Sequence, residues 1–273
     1  MQPITVLSIA GSDSGGGAGI QADLRTLNAF GVHATTALTA VTAQNTLGVS
    51  AIENVSPDMV ESQVRAVVGD FDVKATKTGM LAQAETVRRV SDLASEGLLP
   101  HLVVDPVLVS TSGHPLMEEG GVDAYRQSLF PFAEIVTPNL HEAAILCGID
   151  VRNVKDVDDV ATLARTILAM GPTYVLIKGG HLAGGASTHR APDLLLSADE
   201  LVVLDAERVD THNDHGTGCS LSSAIAAGLG LERSVLDATR DAKSFVLAAL
   251  VGGSSWHLGQ GRGPIDHLGW MSE

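Results

Sequence analysis

The stretch His215-Gly216-Thr217-Gly218-Cys219 stands directly before SLSSAIAAGLG, a small-residue run over 220–230. The pentapeptide is predicted to be the first turn of a helix. Free backbone N–H groups and the positive end of the helix dipole meet there, which makes an anion site. A thiol in that position is expected to have a lowered pKa. Gly216, Thr217, Gly218 and Cys219 therefore read as an anion pocket holding a soft acid/base. Lys178-Gly179-Gly180-His181 closes a strand predicted over Tyr174–Lys178. A lysine there can reach a phosphate as a point charge, or it is a surface lysine in a turn.

Thr137-Pro138-Asn139-Leu140-His141-Glu142 opens another helix. Asn139 and Glu142 are three apart and share a face. They fit a capping box, and equally a hydrated Mg²⁺, which takes few protein carboxylates and keeps its waters. Glu142 would then act on the metal indirectly. The glycine run GSDSGGGAG, 11–19, lacks the Gly-Lys-Ser/Thr of a Walker loop and does not fit G-x-G-x-x-G in register. It reads as a tight strand-to-helix turn, or as backbone that a flat ligand can approach. Asp23 follows on the next helix, as an acceptor in that pocket or as a solvated helix charge. His212, His215 and Cys219 lack the second cysteine and the spacing of structural zinc sites.

The elements that must position these groups alternate. Ile4–Ala10 reads as a strand, and Ile20, Leu24, Leu27 and Phe30 follow at helical spacing. Thr35–Thr42 reads as a strand, and Ser56-Pro57 as a helix start. Val73–Thr78 is a predicted strand, Ala84–Ser95 a helix, and His101–Asp105 and Glu134–Val136 strands. Asp156–Met170 is a helix stopped by Gly171-Pro172. Leu194–Ser197 and Leu201–Leu204 are strand-like, as a hairpin or a sheet edge. This rhythm predicts an α/β fold, a mostly parallel sheet with helices on both faces. With no linker, low-complexity tract or repeat, residues 1–273 read as one domain. Ligands in such sheets sit beyond the carboxyl ends of the strands. Gly11–Asp13, Gln44, Asp105, Asn139, Lys178 and the 215–219 turn all fall at such ends.

Composition narrows the partners. The formal charge is −15, with 17 Lys and Arg against 32 Asp and Glu. That argues against nonspecific nucleic-acid or anionic-membrane binding, which need a basic face. No apolar run reaches the ~18 residues of a membrane span. MQPITVLSIAGSD has no basic leader and reads as a first strand, not a signal peptide. The two cysteines, Cys147 and Cys219, suggest a reducing compartment, hence the cytoplasm.

Seven motifs together resemble the hydroxymethylpyrimidine/phosphomethylpyrimidine kinases of thiamine biosynthesis, in the ribokinase-like superfamily. They are AGSDSGGGAGIQADL (10–24), VTAQNTLGV (41–49), TKTGML (76–81), DPVLVSTSG (105–113), TPNLHEA (137–143), KGGHL (178–182) and HGTGCSLSSAIAA (215–227). The resemblance runs from Ile4 to the glycine-rich tail at Gly259–Pro264. It implies a three-layer α/β/α fold and two successive phosphorylations, with ATP and Mg²⁺ as cofactors and the monovalent-cation requirement left open. It implies that Gln44 hydrogen-bonds the aminopyrimidine while Gly11, Asp23, Met80 and Val107 line the ring pocket. Asn139, Glu142, Asp105 and His215 are implied on the nucleotide and Mg²⁺ side, Lys178 on the phosphates, and Gly216–Cys219 as the anion hole. Homo-oligomers, often dimers, are the implied assembly.

The chain departs from relatives at Ser110, His114 and Asp214, and residues 182–192 are unusual in length and composition. The absence of a flap cysteine near Ser110 argues against a pyridoxal kinase of the same fold. A non-catalytic pyrimidine-binding protein is the alternative from another class. His114 and Asp214 read as tolerated surface changes.

Overall fold

The computed structural model describes residues 2–109, 113, 115–179 and 190–270. Ser110, His114 and residues 182–189, singled out above, lie outside the described residues.

In chain order the first elements are β1 (Thr5–Ala10), α1 (Gly19–Ala29), β2 (His33–Leu38), β3 (Ala40–Asn45), β4 (Gly48–Asn54), α2 (Pro57–Val68) and β5 (Val73–Thr78). Then come α3 (Ala84–Ser95), β6 (Leu102–Val104), α4 (Gly121–Ala124), β7 (Ile135–Val136), α5 (Leu140–Cys147) and α6 (Val157–Leu168). The chain closes with β8 (Tyr174–Ile177), β9 (Asp193–Leu196), β10 (Leu201–Leu204), α7 (Thr217–Gly230) and α8 (Val235–Gly253). Eight strands form one sheet in the order β10-β9-β8-β7-β6-β5-β1-β2. The strands from β2 across to β8 pair in parallel, and β9 and β10 add an antiparallel hairpin at the edge.

Side-chain alternation along the strands builds two cores. Leu7 and Ile9 of β1 face Val60 and Val64 of α2, Val87 and Val90 of α3, and α5 and α6. Their neighbour Val6 faces the opposite layer, with Leu27 of α1, Leu221 and Ile225 of α7, and Ala238 of α8. A period of two on the strands thus divides the chain into three α/β/α layers. Aliphatic and alanine side chains make up most of both cores, with Tyr125 and Phe130 the fully buried aromatics of the first.

The predicted strand Thr35–Thr42 is corrected to two strands in two sheets. Thr39 separates them: its N–H donates to the Ala10 carbonyl and its hydroxyl to the Met80 carbonyl, at 2.5 Å. Past that tie the chain leaves the main sheet and pairs β3 with β4 as a separate antiparallel ribbon. The pairing shifts register between Ala43 and Gln44, a bulge that re-aims the side chains beyond it. The segment before α2 behaves as its sequence dictates, since Ser56 Oγ caps the Met59 N–H.

Candidate active site

Gly11–Asp13, Asp105, Asn139 and Lys178 follow the carboxyl ends of β1, β6, β7 and β8, whereas Gln44 lies within β3 of the separate ribbon. Gly216 has φ of 88°, in the left-handed region, and a Cβ there would overlap the Gly17 carbonyl. The glycine loop therefore packs on the turn that starts α7, and glycine is required on both sides of the contact: a Cβ on Gly17 would lie 2.5 Å from His215 Cδ2. Of the loop's glycines Gly17 serves this close approach, while Gly19, with φ of 56°, packs on the Gly11 carbonyl. Asp13 ties the loop from within, accepting from the N–H groups of Gly15 (2.8 Å), Gly17 (3.0 Å) and Ala18 (2.8 Å).

On one side of the α7 turn, Lys178 Nζ donates to Asp105 Oδ1 at 3.0 Å. A Cβ on Gly218 would lie 3.1 Å from that ammonium, so glycine is what lets the lysine stand over the helix start. Thr137 and Ser222 hydroxyls complete the shell of Asp105, at 3.4 and 3.3 Å. Burial opposes the charge of Lys178, but Asp105 and then Glu142 outweigh it and raise its pKa. Asn139 and Glu142 form the reciprocal capping box of α5: Asn139 Oδ1 accepts from the Glu142 N–H at 2.9 Å and Glu142 Oε2 from the Asn139 N–H at 2.8 Å. Burial pushes the Glu142 carboxyl up to about 7, against the pull of Lys178 and with Asp105 adding to the rise.

On the other side of the turn lies a small apolar cluster of Ala40, Met80 and Ala82, with Val107 packed against it. A Cβ on Gly11 would lie 2.6 Å from Met80 Cε. Gly11, Met80 and Val107 thus do meet. Gln44 reaches the same region from β3, its backbone N–H and C=O both joined to Ser14 Oγ at 2.7 Å.

Two expectations are corrected, those for Asp23 and Cys219. Asp23 is fully buried and so lines no open pocket; Lys77 Nζ reaches both its oxygens at 2.9 Å and the Ser8 and Ser223 hydroxyls donate to them at 2.6 and 2.8 Å. His215 Nε2 lies 2.9 Å from Asp13 Oδ2 and 3.3 Å from Gln44 Nε2, between the glycine loop and β3. Cys219 does not have a lowered pKa. Burial pushes the thiol up to about 11; Lys77 pulls it down, while the Asp23 and Asp105 carboxylates raise it. Asp214, at the surface, is paired by Arg262 of the tail through two nitrogens, beside the His215 N–H to Gly263 carbonyl bond of 3.1 Å.

Sequence reasoning missed Lys77. Its pKa is raised, since the Asp23 carboxylate outweighs the burial that opposes its charge. One signal was available: a lysine inside an otherwise buried strand run needs a partner.

A three-layer α/β/α sheet whose strand ends converge on one helix N-terminus, with a lysine over that terminus, has the ribokinase-like fold of small-molecule kinases. The family model described as phosphomethylpyrimidine kinase matches residues 13–266, and the chain belongs to that family. A hydroxymethylpyrimidine/phosphomethylpyrimidine kinase of Rhizobium meliloti is 48% identical over 263 residues, covering 96% of each chain. The solved phosphomethylpyrimidine kinase of Clostridium difficile superposes with a TM-score of 0.78 at 37% identity, covering 90% of this chain and 99% of that one. The ADP complex of Bacillus subtilis pyridoxal kinase superposes with a TM-score of 0.85 at 35% identity, covering 97% and 98%.

Proposed function

We propose that this chain, acting as one kinase unit over its whole length, transfers the γ-phosphoryl group of ATP to 4-amino-5-hydroxymethyl-2-methylpyrimidine and then to the resulting monophosphate. The observation that carries the reading is the placement of Lys178 over the N-terminal turn of α7, held there by Asp105. Phosphoryl transfer needs little covalent help from protein; it needs in-line positioning and charge stabilisation. The N–H groups of the 216–219 turn and the Lys178 ammonium supply positive potential where the transferring group's oxygens gather charge. The apolar floor of Met80 and Val107, with Gln44 at its rim, suits a small flat heterocycle.

Glu142 and Asp105 flank Lys178. Among the described residues no group of three or more His, Cys, Asp or Glu is placed to hold a metal. That donor set fits Mg²⁺ bound mainly through water and phosphate oxygens, with Glu142 acting indirectly. Bound there, Mg²⁺ would neutralise charge on the nucleotide phosphates. Asn139, spent on capping α5, sets where Glu142 stands.

The names of the relatives favour a pyrimidine acceptor over pyridoxal, although pyridoxal kinases share the fold. Among the described residues no helix is long and apolar enough to cross a membrane, and the two free thiols suit a reducing cytoplasm. A homo-oligomer is the assembly the family resemblance suggests. Side-by-side kcat/KM values for the hydroxymethylpyrimidine and for pyridoxal, with ATP and Mg²⁺, test the acceptor. A higher value for the pyrimidine supports the reading, and a higher value for pyridoxal overturns it.

A further inference from the structure

Asp13, His215 and Gln44 form a chain of contacts from the glycine loop to the rim of the pocket. Asp13 Oδ2 already accepts from the Gly17 and Ala18 N–H groups, and Oδ1 from that of Gly15. A carboxyl group facing this many donors is a carboxylate. The carboxylate in turn requires that His215 Nε2, 2.9 Å away, carry a hydrogen. This holds whether the imidazole is neutral or protonated.

The consequence falls on Gln44. Its amide end lies 3.3 Å from the same Nε2. A protonated Nε2 has no lone pair to accept from an NH₂ group, whereas an amide oxygen can share the single hydrogen that Nε2 gives to Asp13, so the amide oxygen is the end that faces His215. The amide NH₂ then faces Thr42 Oγ1, at the 3.4 Å contact on its other side. Thr42 agrees with this arrangement: its hydroxyl hydrogen goes to the Ser12 carbonyl at 2.9 Å, which leaves its oxygen free to accept from Gln44. Ala40, Thr42 and Gln44 alternate inward along β3, while Val41, Ala43 and Asn45 are exposed. Ala40 packs on Met80.

We infer that Asp13 is a positioning residue that, through His215, fixes which way round the Gln44 amide presents its donor and its acceptor to the ligand. The inference rests on the aminopyrimidine reading above and deepens it. The amide keeps one N–H and one lone pair for a ligand, in a set order. A 4-aminopyrimidine offers the complement, a ring-nitrogen acceptor beside an exocyclic N–H donor. The 4-oxo analogue, in its N3–H form, offers the reverse order. A locked amide accepts the first and leaves two polar groups opposed to the second.

The test compares 4-amino-5-hydroxymethyl-2-methylpyrimidine with its 4-oxo analogue in the full chain, using wild type, Asp13→Asn and His215→Phe. The wild type should favour the amino compound in kcat/KM by about tenfold or more. Both variants should lose most of that preference, because the freed amide can turn to either ligand. The change should lie mainly in KM for the pyrimidine, with KM for ATP unmoved. His215→Phe keeps a ring in place and decides the matter if Asp13→Asn fails to fold. General damage to the loop would lower both pyrimidines alike and leave the ratio intact, and that result overturns the inference. So does a wild type that does not discriminate between the two. A wild type that uses neither pyrimidine removes the functional reading, and this inference with it.

Discussion

Lys178 Nζ and Asp105 Oδ1 meet at 3.0 Å over the first turn of α7, with Lys178 at the end of β8 and Asp105 at the end of β6. Two strands separated by β7 in the sheet thereby place a paired cation against a helix N-terminus. The pair is balanced before a ligand arrives. In the proposed reaction an incoming phosphate would compete with Asp105 for an ammonium that is already positioned.

Removing that ammonium should damage chemistry, and it also strands the buried Asp105 carboxylate, so stability should fall as well. Lys178→Met is expected to lower kcat by about 10²–10³-fold, the size seen when one transition-state donor is lost. The same substitution leaves Asp105 and Glu142 without their cation, so binding of nucleotide should weaken as well. Steady-state kinetics with ATP varied, beside a thermal melt, separates the two effects. A kcat within a factor of about three of wild type would contradict the role.

Beneath the site, Lys77 and Asp23 are both fully buried and face each other. Breaking such a pair strands one charge in the interior. Lys77→Met alone should destabilise the protein by about 3–5 kcal/mol. The double variant Asp23→Asn with Lys77→Met should recover part of that loss, since no unpaired charge remains. Urea unfolding of the two single variants, the double variant and wild type measures it. Additive losses would show that the two side chains do not act as a pair.

Glu142 carries a pH signature. Its carboxyl is raised from an ordinary 4.5 to about 7. Below 4.5 the folded and unfolded chains both hold the proton and the stabilising difference is fully present. As pH rises toward 7 the unfolded chain sheds its proton first, and this contribution is lost. Relative to Glu142→Gln, wild type should thus become less stable across that window. Urea midpoints taken at several pH values for both proteins check it, and parallel curves would refute the raised carboxyl.

Cys219 is neutral at physiological pH, with a thiol pushed up to about 11. Iodoacetamide should modify it slowly near neutrality and faster as pH approaches that value. Replacing it by a carboxylate adds a third negative charge near Asp23 and Asp105. In the second phosphorylation the acceptor is itself a phosphate anion. Cys219→Asp should therefore slow the second step more than the first, read as accumulation of monophosphate. Equal loss in both steps would count against the charge argument.

The extent to which all this was legible in the sequence follows from the range of the interactions. Strands β1 and β5 and helix α3 were readable from local periodicity, and the Asn139–Glu142 capping box from a spacing of three. The break at Thr39 was not, because it depends on carbonyls of Ala10 and Met80 that only the folded sheet brings near. The ribbon strand β4 and the long helix α8 were also missed. The contact of His215 with Asp13 was not legible either, because the two lie 202 residues apart. The thiol of Cys219 was expected low from the helix dipole alone. Burial and two remote carboxylates reverse the sign. The residues of the site were legible one by one; which of them face each other was not.

The most direct measurement is the product distribution from hydroxymethylpyrimidine, ATP and Mg²⁺ incubated with the full chain, with mono- and diphosphate separated and weighed by mass spectrometry. The account predicts monophosphate first and diphosphate following from it, both dependent on Lys178. Pyrimidine left unphosphorylated, or monophosphate that never proceeds to diphosphate, would contradict it.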